Sequence, residues 1–74
     1  MVFQPIEAAE GKIATAQVHE YLRQLILDGT VPPGTVLSQV QLAQEIGVSR
    51  TPLREALRML QEEGLVQAEY NHRV

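Results

Sequence analysis

The sequence predicts a mainly α-helical domain in which three helices are followed by a small β-hairpin. Three stretches place apolar residues three and four positions apart, which is the spacing of one buried helical face. A glycine follows each stretch, at Gly29, Gly47 and Gly64, where a helix commonly ends. The last residues then turn toward the apolar and polar alternation of a strand. Elements in this order predict a three-helix winged helix-turn-helix.

The size and composition of the chain exclude several classes of protein. With 74 residues it has room for one domain only. The absence of cysteine excludes a disulfide framework and thiolate metal sites. A hydrophobic content of 45% with 20% charged residues is typical of a packed soluble domain. No apolar run approaches the ~18 residues that span a membrane, and no signal peptide is evident. We therefore expect a cytoplasmic protein without a membrane partner.

The first helix is predicted over residues 14–28, after an N-terminal arm at residues 1–13. Gly29 follows the helix and suits the left-handed conformation of a C-cap. Residues 31–34 contain two prolines, which cannot continue a helix because they lack the amide donor. An extended, turn-rich connector is therefore expected next. The apolar stripe of the helix consists of Ala14, Val18, Leu22, Leu25 and Ile26.

The second and third helices are predicted to lie on either side of a tight turn. Ser38 followed three residues later by Gln41 indicates a capping box, and about two helical turns lead from there to Gly47. After the turn, Ser49 is a good N-cap for a third helix over about residues 49–63. The predicted buried faces consist of Val40, Leu42, Ala43 and Ile46 in the second helix and of Leu53, Ala56, Leu57 and Leu60 in the third.

The hairpin, or wing, is predicted after the third helix. Residues 65–70 turn toward the two-residue period of a strand, Asn71 offers a turn, and Arg73 with Val74 begins a returning strand. The chain is therefore expected to stop within its wing. The winged helix domain is assigned to residues 14–74, and any effector-binding domain is expected to lie outside this chain.

Three arginines give the third helix a character suited to nucleic acid. Two helices joined by a short turn that contains glycine form a helix-turn-helix arrangement. Arg50, Arg54 and Arg58 are four residues apart and are neighbours along one helical face, where like charges repel each other. The net charge of −3 alone argues against a polyanionic partner, but three of the six cationic residues cluster here. The sequence therefore predicts binding to double-stranded DNA.

Different residues at the start of the third helix are predicted to make different contacts with DNA. Ser49, Arg50 and Thr51 lie where backbone amides and the positive end of the helix dipole favour phosphate. Arg54 is predicted to reach a base edge, because a guanidinium can grip guanine O6 and N7 together. Ser49 can act as a cap as well as a phosphate ligand, and Thr51 and Pro52 can serve only to shape the first turn.

Three further residues are candidate DNA contacts, but each also has an interpretation that involves no DNA. Arg58 has Glu55 three residues before it and Glu62 four residues after it, so it can be a solvated ion-pairing residue instead. His72 and Arg73 lie at the expected tip of the hairpin. Either side chain can touch a groove or a phosphate there, or remain an ordinary surface residue.

No catalytic or metal site is predicted. His19 and His72 are far apart in sequence and lack further ligands for a metal. Glu62 and Glu63 are adjacent on a helix and do not face each other, so they do not form an acid/base pair. An enzyme is therefore not expected, and neither is a cofactor within this chain. The alternative from a different class is a protein-interaction module, because the net charge is acidic and acids flank the arginines.

Four segments together resemble the GntR family of bacterial transcription regulators. The match covers about residues 14–74, and the Thr-Pro-Leu-Arg wording of residues 51–54 is most similar to the FadR-like (FCD) branch. The segments are GTVPPG at residues 29–34, LA at 42–43, GVSRTPLREAL at 47–57 and EGLV at 63–66.

The resemblance to this family implies properties that the residues by themselves do not predict. It implies a homodimeric regulator on an imperfect palindromic operator, with a small-molecule effector, in some members with a metal, bound by a helical C-terminal domain absent here. Arg50 and Arg54 match the arginines that reach operator bases, and Ser49 and Thr51 match phosphate-contacting positions. Residues 71–72 match the wing tip that approaches the minor groove.

The second helix departs from the family's usual sequence at two positions. Gln39 stands where a glutamate is common, and Val40 stands where several members have a polar or basic residue that can contact DNA. It therefore stays open whether the second helix contacts DNA, and the prediction of base reading concentrates on Arg50 and Arg54.

Overall fold

The computed structural model describes residues 3–5, 15–68 and 72–74 of the chain. Within these residues the three helices follow each other in the predicted order, and two short strands follow the third helix, which confirms the predicted fold class. A further short strand, which was not predicted, lies between the first and second helices. None of the described helices is long and apolar enough to cross a membrane. The elements are α1 (Thr15–Leu27), β1 (Val36–Leu37), α2 (Gln39–Ile46), α3 (Arg50–Glu62), β2 (Gln67–Ala68) and β3 (His72–Arg73).

The three helices pack around one hydrophobic core. The largest share comes from α3, whose four predicted core residues are fully buried because they recur at helical spacing on its inner face. Val40 was predicted to share the buried face of α2, but this is wrong, since 49% of its surface is exposed. Val40 lies two positions before the buried Leu42, which places it about 200° around the helix. The core consists of Val18, Leu22, Val31, Leu37, Leu42, Ile46, Leu53, Ala56, Leu57, Leu60 and Val66.

The starts of α2 and α3 differ in how they are capped. Ser38 precedes α2, and its hydroxyl accepts a hydrogen bond of 3.4 Å from the Gln41 backbone N–H. The Gln41 side chain does not complete the predicted capping box, because its amide donates instead to Glu45 Oε1 at 3.4 Å. Ser49 has the extended backbone of an N-cap before α3, yet its side chain makes no capping hydrogen bond. The hydroxyl of Ser49 is therefore not committed to the helix.

The sheet contains one strand, β1, that was not predicted from the sequence. β3 lies between β1 and β2 and pairs antiparallel with both, so the strand order is β1-β3-β2. Val36 pairs with Arg73, and beyond them the Val74 N–H donates to the Thr35 carbonyl at 2.9 Å. The returning strand of the predicted hairpin is thus the central strand of the sheet. A strand of two residues, such as β1, is too short to show the period of two in sequence.

The first described residues dock onto the helical core. Phe3 packs against the core cluster, and the Gln4 backbone N–H donates to the Tyr21 hydroxyl on α1 at 2.8 Å. The predicted boundary between arm and domain, at residues 13 and 14, lies outside the described residues, as does the predicted turn at Asn71. The division of the chain into these parts stays a prediction.

Candidate nucleic-acid interface

The turn between α2 and α3 positions the candidate interface. Gly47 ends α2 with a φ of +80°, a left-handed conformation that costs glycine little, and its N–H donates to the Ala43 carbonyl. Nothing lies within 4 Å of the place where a side chain at Gly47 would begin, so the backbone angle alone favours glycine. Val48 then packs partly buried against the core. The turn at residues 47–49 therefore connects the two helices, and α3 packs against both α1 and α2.

Arg50 and Arg54 form the free cationic part of α3. Both side chains are exposed, and neither makes an ion pair or hydrogen bond with another part of the chain that the structure describes. The first turn of α3 contains no acidic residue that would neutralise them. Four residues advance the helix by about 6 Å and rotate it by about 40°, so the two guanidinium groups project in similar directions. The structure thus brings these two predicted contact residues together.

Ser49 and Thr51 flank Arg50 at the N-terminal end of α3. Both are exposed, and the backbone amides of this first turn have no partners inside the helix. Pro52 is half-buried beneath them, where its missing amide donor is tolerated. The end of α3 therefore combines the positive pole of the helix, two hydroxyl side chains and one free cation.

Arg58 has a different environment from the other two arginines. Its Nη2 donates to Glu55 Oε2 at 3.0 Å and its Nη1 donates to Glu62 Oε1 at 3.1 Å. The pKa of the Arg58 guanidinium is raised by these two carboxylates, first of all by the hydrogen bond that it donates to Glu55. The structure thus shows the ion-pairing interpretation of Arg58, and a DNA contact by this residue stays a prediction.

The wing residues are placed through their backbone only. His72 and Arg73 constitute β3, with β1 on one side and β2 on the other. The surroundings of their side chains lie outside what the structure describes. Their predicted contact with DNA therefore stays a prediction.

His19 has a partner that sequence reasoning did not find. Its Nε2 lies 3.0 Å from both carboxylate oxygens of Glu63, at the C-terminal end of α3. The pair joins α1 to α3, and only the folded packing of these helices brings the two residues together. No local spacing pattern could have indicated it. Within the described residues no group of three or more histidine, cysteine or acidic side chains could hold a metal ion.

A cavity of about 300 Å³ lies between β1 and α2. Its walls are mostly apolar, with Phe3, Leu37 and Leu42 among them, and the described lining contains no histidine, cysteine, lysine or arginine. Glu45 lies in this wall, and its Oε2 has no hydrogen-bond partner among the described residues. The described lining contains two hydroxyls, of which that of Thr35 donates to the Pro32 carbonyl and that of Ser38 accepts from the Gln41 N–H.

The sequence is similar to bacterial regulators along most of its length. The model of the gntR family of bacterial regulatory proteins matches residues 14–73. An uncharacterized HTH-type transcriptional regulator of Bacillus subtilis is 43% identical over 53 residues, which are 72% of this chain and 24% of that protein. The gluconate operon transcriptional repressor of Bacillus licheniformis is 46% identical over 48 residues, 65% of this chain and 20% of the repressor. The match thus spans between a fifth and a quarter of the length of these relatives.

Solved structures show the same arrangement of helices and strands. A GntR family transcriptional regulator from Pseudomonas syringae has a TM-score of 0.82 and 40% identity, over 96% of this chain and 30% of that one. The AraR DNA-binding domain in complex with its operator ORX1 has a TM-score of 0.79 and 25% identity, over 96% of both chains.

Proposed function

Because the chain belongs to the GntR family of bacterial regulatory proteins, we propose that it is the operator-binding domain of a transcriptional regulator. The observation that carries this proposal is the pair of exposed arginines on α3, Arg50 and Arg54, which have no acidic partner among the described residues. The AraR DNA-binding domain, which has the same fold, binds operator DNA. The named relatives are transcriptional regulators, which supports a role other than catalysis.

In this proposal α3 enters the major groove of DNA. A helix with its side chains is about 10–12 Å wide, and the major groove of B-DNA is about 12 Å wide. Arg54 and Arg50 then reach base edges, where a bidentate contact with guanine discriminates by about 1–3 kcal/mol. Ser49 and Thr51 donate hydrogen bonds to phosphate at the positive end of the helix, and this fixes the register of α3 in the groove.

The wing contributes a second, weaker contact. His72 and Arg73 lie in the strand that the two neighbouring strands hold on both sides. We assign their side chains to the minor groove or to the adjacent phosphates. Such contacts position a domain and read groove width more than base identity.

The proposal for the intact protein extends beyond this chain. We place it in the FadR-like branch, on the wording of residues 51–54. A helical C-terminal domain would then bind a small-molecule effector, in some members with a metal, and would hold two copies on an imperfect palindrome. The larger size of the relatives supports a further domain. Two α3 helices of a dimer would enter half-sites about one turn of DNA apart.

Selection from a random pool of DNA duplexes tests the proposal. The wild-type chain should enrich one sequence, and anisotropy should show affinity for it falling steeply between 50 and 200 mM salt. Arg54→Ala should lower that affinity by about 1–3 kcal/mol, or about 5-fold to 150-fold, and relax the sequence preference. Arg23→Ala removes the same charge from α1 instead of α3 and should change affinity far less.

The absence of any enriched sequence would contradict operator binding. Capture of a protein partner through α3 would then favour the interaction-module alternative. Equal losses for Arg54→Ala and Arg23→Ala would contradict the assignment of base reading to Arg54.

A further inference from the structure

The acidic environment of Arg58 is a feature that operator binding does not by itself explain. Glu55 and Glu62 hold opposite ends of one guanidinium at 3.0 and 3.1 Å. All three side chains are about half or more exposed to solvent, at 60% for Arg58, 48% for Glu55 and 65% for Glu62. The triad, defined as these three residues, contains one positive and two negative charges and is therefore net negative.

The position of the triad places it close to any duplex that α3 contacts. Arg58 lies one helical turn beyond Arg54, about 6 Å along the axis and about 40° further round. Charges interact over a Debye length of about 8–10 Å at physiological salt. The triad therefore lies within the electrostatic range of phosphates next to a groove-bound Arg54.

Three equally free arginines would attract any duplex. Each phosphate neutralised by a cation adds affinity that is independent of sequence, because it comes from the release of counterions. On a non-operator duplex no base contacts fix α3, so a free Arg58 would settle against whichever phosphate is nearest, whereas base contacts on the operator hold α3 in one register and limit what a third cation adds. A net negative triad beside two free arginines therefore lowers non-specific affinity while the base-reading contacts remain.

We propose that the triad of Glu55, Arg58 and Glu62 sets the discrimination between operator and non-operator DNA by withholding Arg58 from phosphate. This inference rests on the proposed function. The surface pairs also stabilise the helix slightly, as such pairs do at these spacings. If the triad only stabilised the helix, its removal would leave the ratio of operator affinity to non-operator affinity unchanged.

The test is the double variant Glu55→Gln/Glu62→Gln in the 74-residue chain. Glutamine keeps the shape and helix propensity of glutamate but removes its charge. Affinity for a scrambled duplex should rise about tenfold at 100 mM salt, with a salt slope steeper by about one unit, the value for one more phosphate contact. Affinity for the selected operator should rise less, so the ratio of the two affinities should fall several-fold.

Two matched variants separate the causes. Glu20→Gln/Asp28→Asn removes two charges outside α3, where both residues are exposed, and should leave the ratio unchanged. Adding Arg58→Gln to the double variant should return the scrambled-duplex affinity to near the wild-type value, because the freed cation is gone. Circular dichroism should show equal helix content in every variant.

Several results would overturn the inference. One is an unchanged ratio in Glu55→Gln/Glu62→Gln, and another is the same fall in the ratio with Glu20→Gln/Asp28→Asn. A gain in scrambled-duplex affinity that persists after Arg58→Gln would assign the effect to the carboxylates alone. These results require a wild-type chain that selects a sequence, so they are distinct from a failure of the proposed function.

Discussion

The two faces of α3 differ in almost every physical respect. The inner face is fully buried against the other helices, through Leu53, Ala56, Leu57 and Leu60. The outer face carries Arg50, Thr51, Arg54 and the triad, all exposed to solvent. The inner face determines where α3 lies, and the outer face determines what it can bind. Stability and DNA recognition should therefore be separable by substitutions on a single helix.

The largest expected effect is on the inner face. Leu57→Ala should lower the free energy of unfolding by about 2–5 kcal/mol, because it leaves a cavity in the core beneath α3. Urea denaturation followed by circular dichroism measures this loss. Leu27→Ala is a matched control, since 54% of Leu27 is exposed at the end of α1. Its effect should stay within about 0.5 kcal/mol. Similar losses for the two variants would contradict the division into faces.

The next effect belongs to the outer face. Arg54→Lys keeps the charge but removes the planar fork that grips guanine, so it should lower operator affinity by about 1–3 kcal/mol. Affinity for a scrambled duplex and the free energy of unfolding should both stay near the wild-type values. Parallel anisotropy and urea titrations measure the three quantities. A loss of scrambled-duplex affinity as large as the loss for the operator would show that Arg54 contacts phosphate instead.

The turn before α3 should affect stability without a steric clash. Gly47→Ala places a side chain in open space but at a φ of +80°, so it should cost about 1–2 kcal/mol of folding free energy. Gly47→Asn should cost less, because asparagine tolerates the left-handed conformation better. Thermal unfolding of the two variants measures the difference. Equal costs would show that the backbone angle is not the cause.

Substitution of the two serines that precede α2 and α3 should affect different properties of the protein. Ser38→Ala removes a capping hydrogen bond and should cost about 1 kcal/mol of folding free energy. Ser49→Ala removes no capping bond, so we expect it to change stability by at most a few tenths of a kcal/mol and to weaken DNA binding instead. Urea titration and anisotropy of both variants check this. An equal stability loss at Ser49 would show that its hydroxyl caps α3 in solution.

The smallest effect lies outside α3 and depends on pH. Hydrogen bonds from Thr30 lower the pKa of the Asp28 carboxyl below its ordinary value of 3.8. A carboxyl with a lowered folded-state pKa stabilises the fold above its unfolded pKa, and this contribution is lost as the pH falls through the folded-state pKa. Asp28→Asn should therefore lose slightly less stability than wild type between pH 6 and pH 2. Melting temperatures across this range measure the difference, and identical acid profiles would contradict it.

The inner face of α3 could be predicted from sequence, whereas several contacts could not. Leu53, Ala56, Leu57 and Leu60 recur at helical spacing between polar residues, and periodicity alone assigns them to a core. Val40 is apolar, but it lies on the opposite side of α2 from Leu42. Its residue type favours burial, whereas its position on the helix places it at the surface. Residue type is therefore a weaker guide than spacing.

Other features depend on packing between distant segments. The ion pair of His19 with Glu63 and the pairing of β1 with β3 both join residues that are distant in sequence, which no local pattern encodes. At Arg58 the sequence left two interpretations open, since glutamates at both spacings permit ion pairs without requiring them. The structure shows both pairs formed.

The central position of β3 has a consequence for the order in which the domain is made. β1 is synthesised before α2 and β2 after α3, but neither has its neighbour in the sheet until His72 and Arg73 leave the ribosome. Helices and the turn between them form from local contacts, and pairing between distant strands is slower. We expect the helix-turn-helix unit to assemble on the nascent chain first. The pairing of β3 with β1 and β2 then forms as the last step in the folding of the domain.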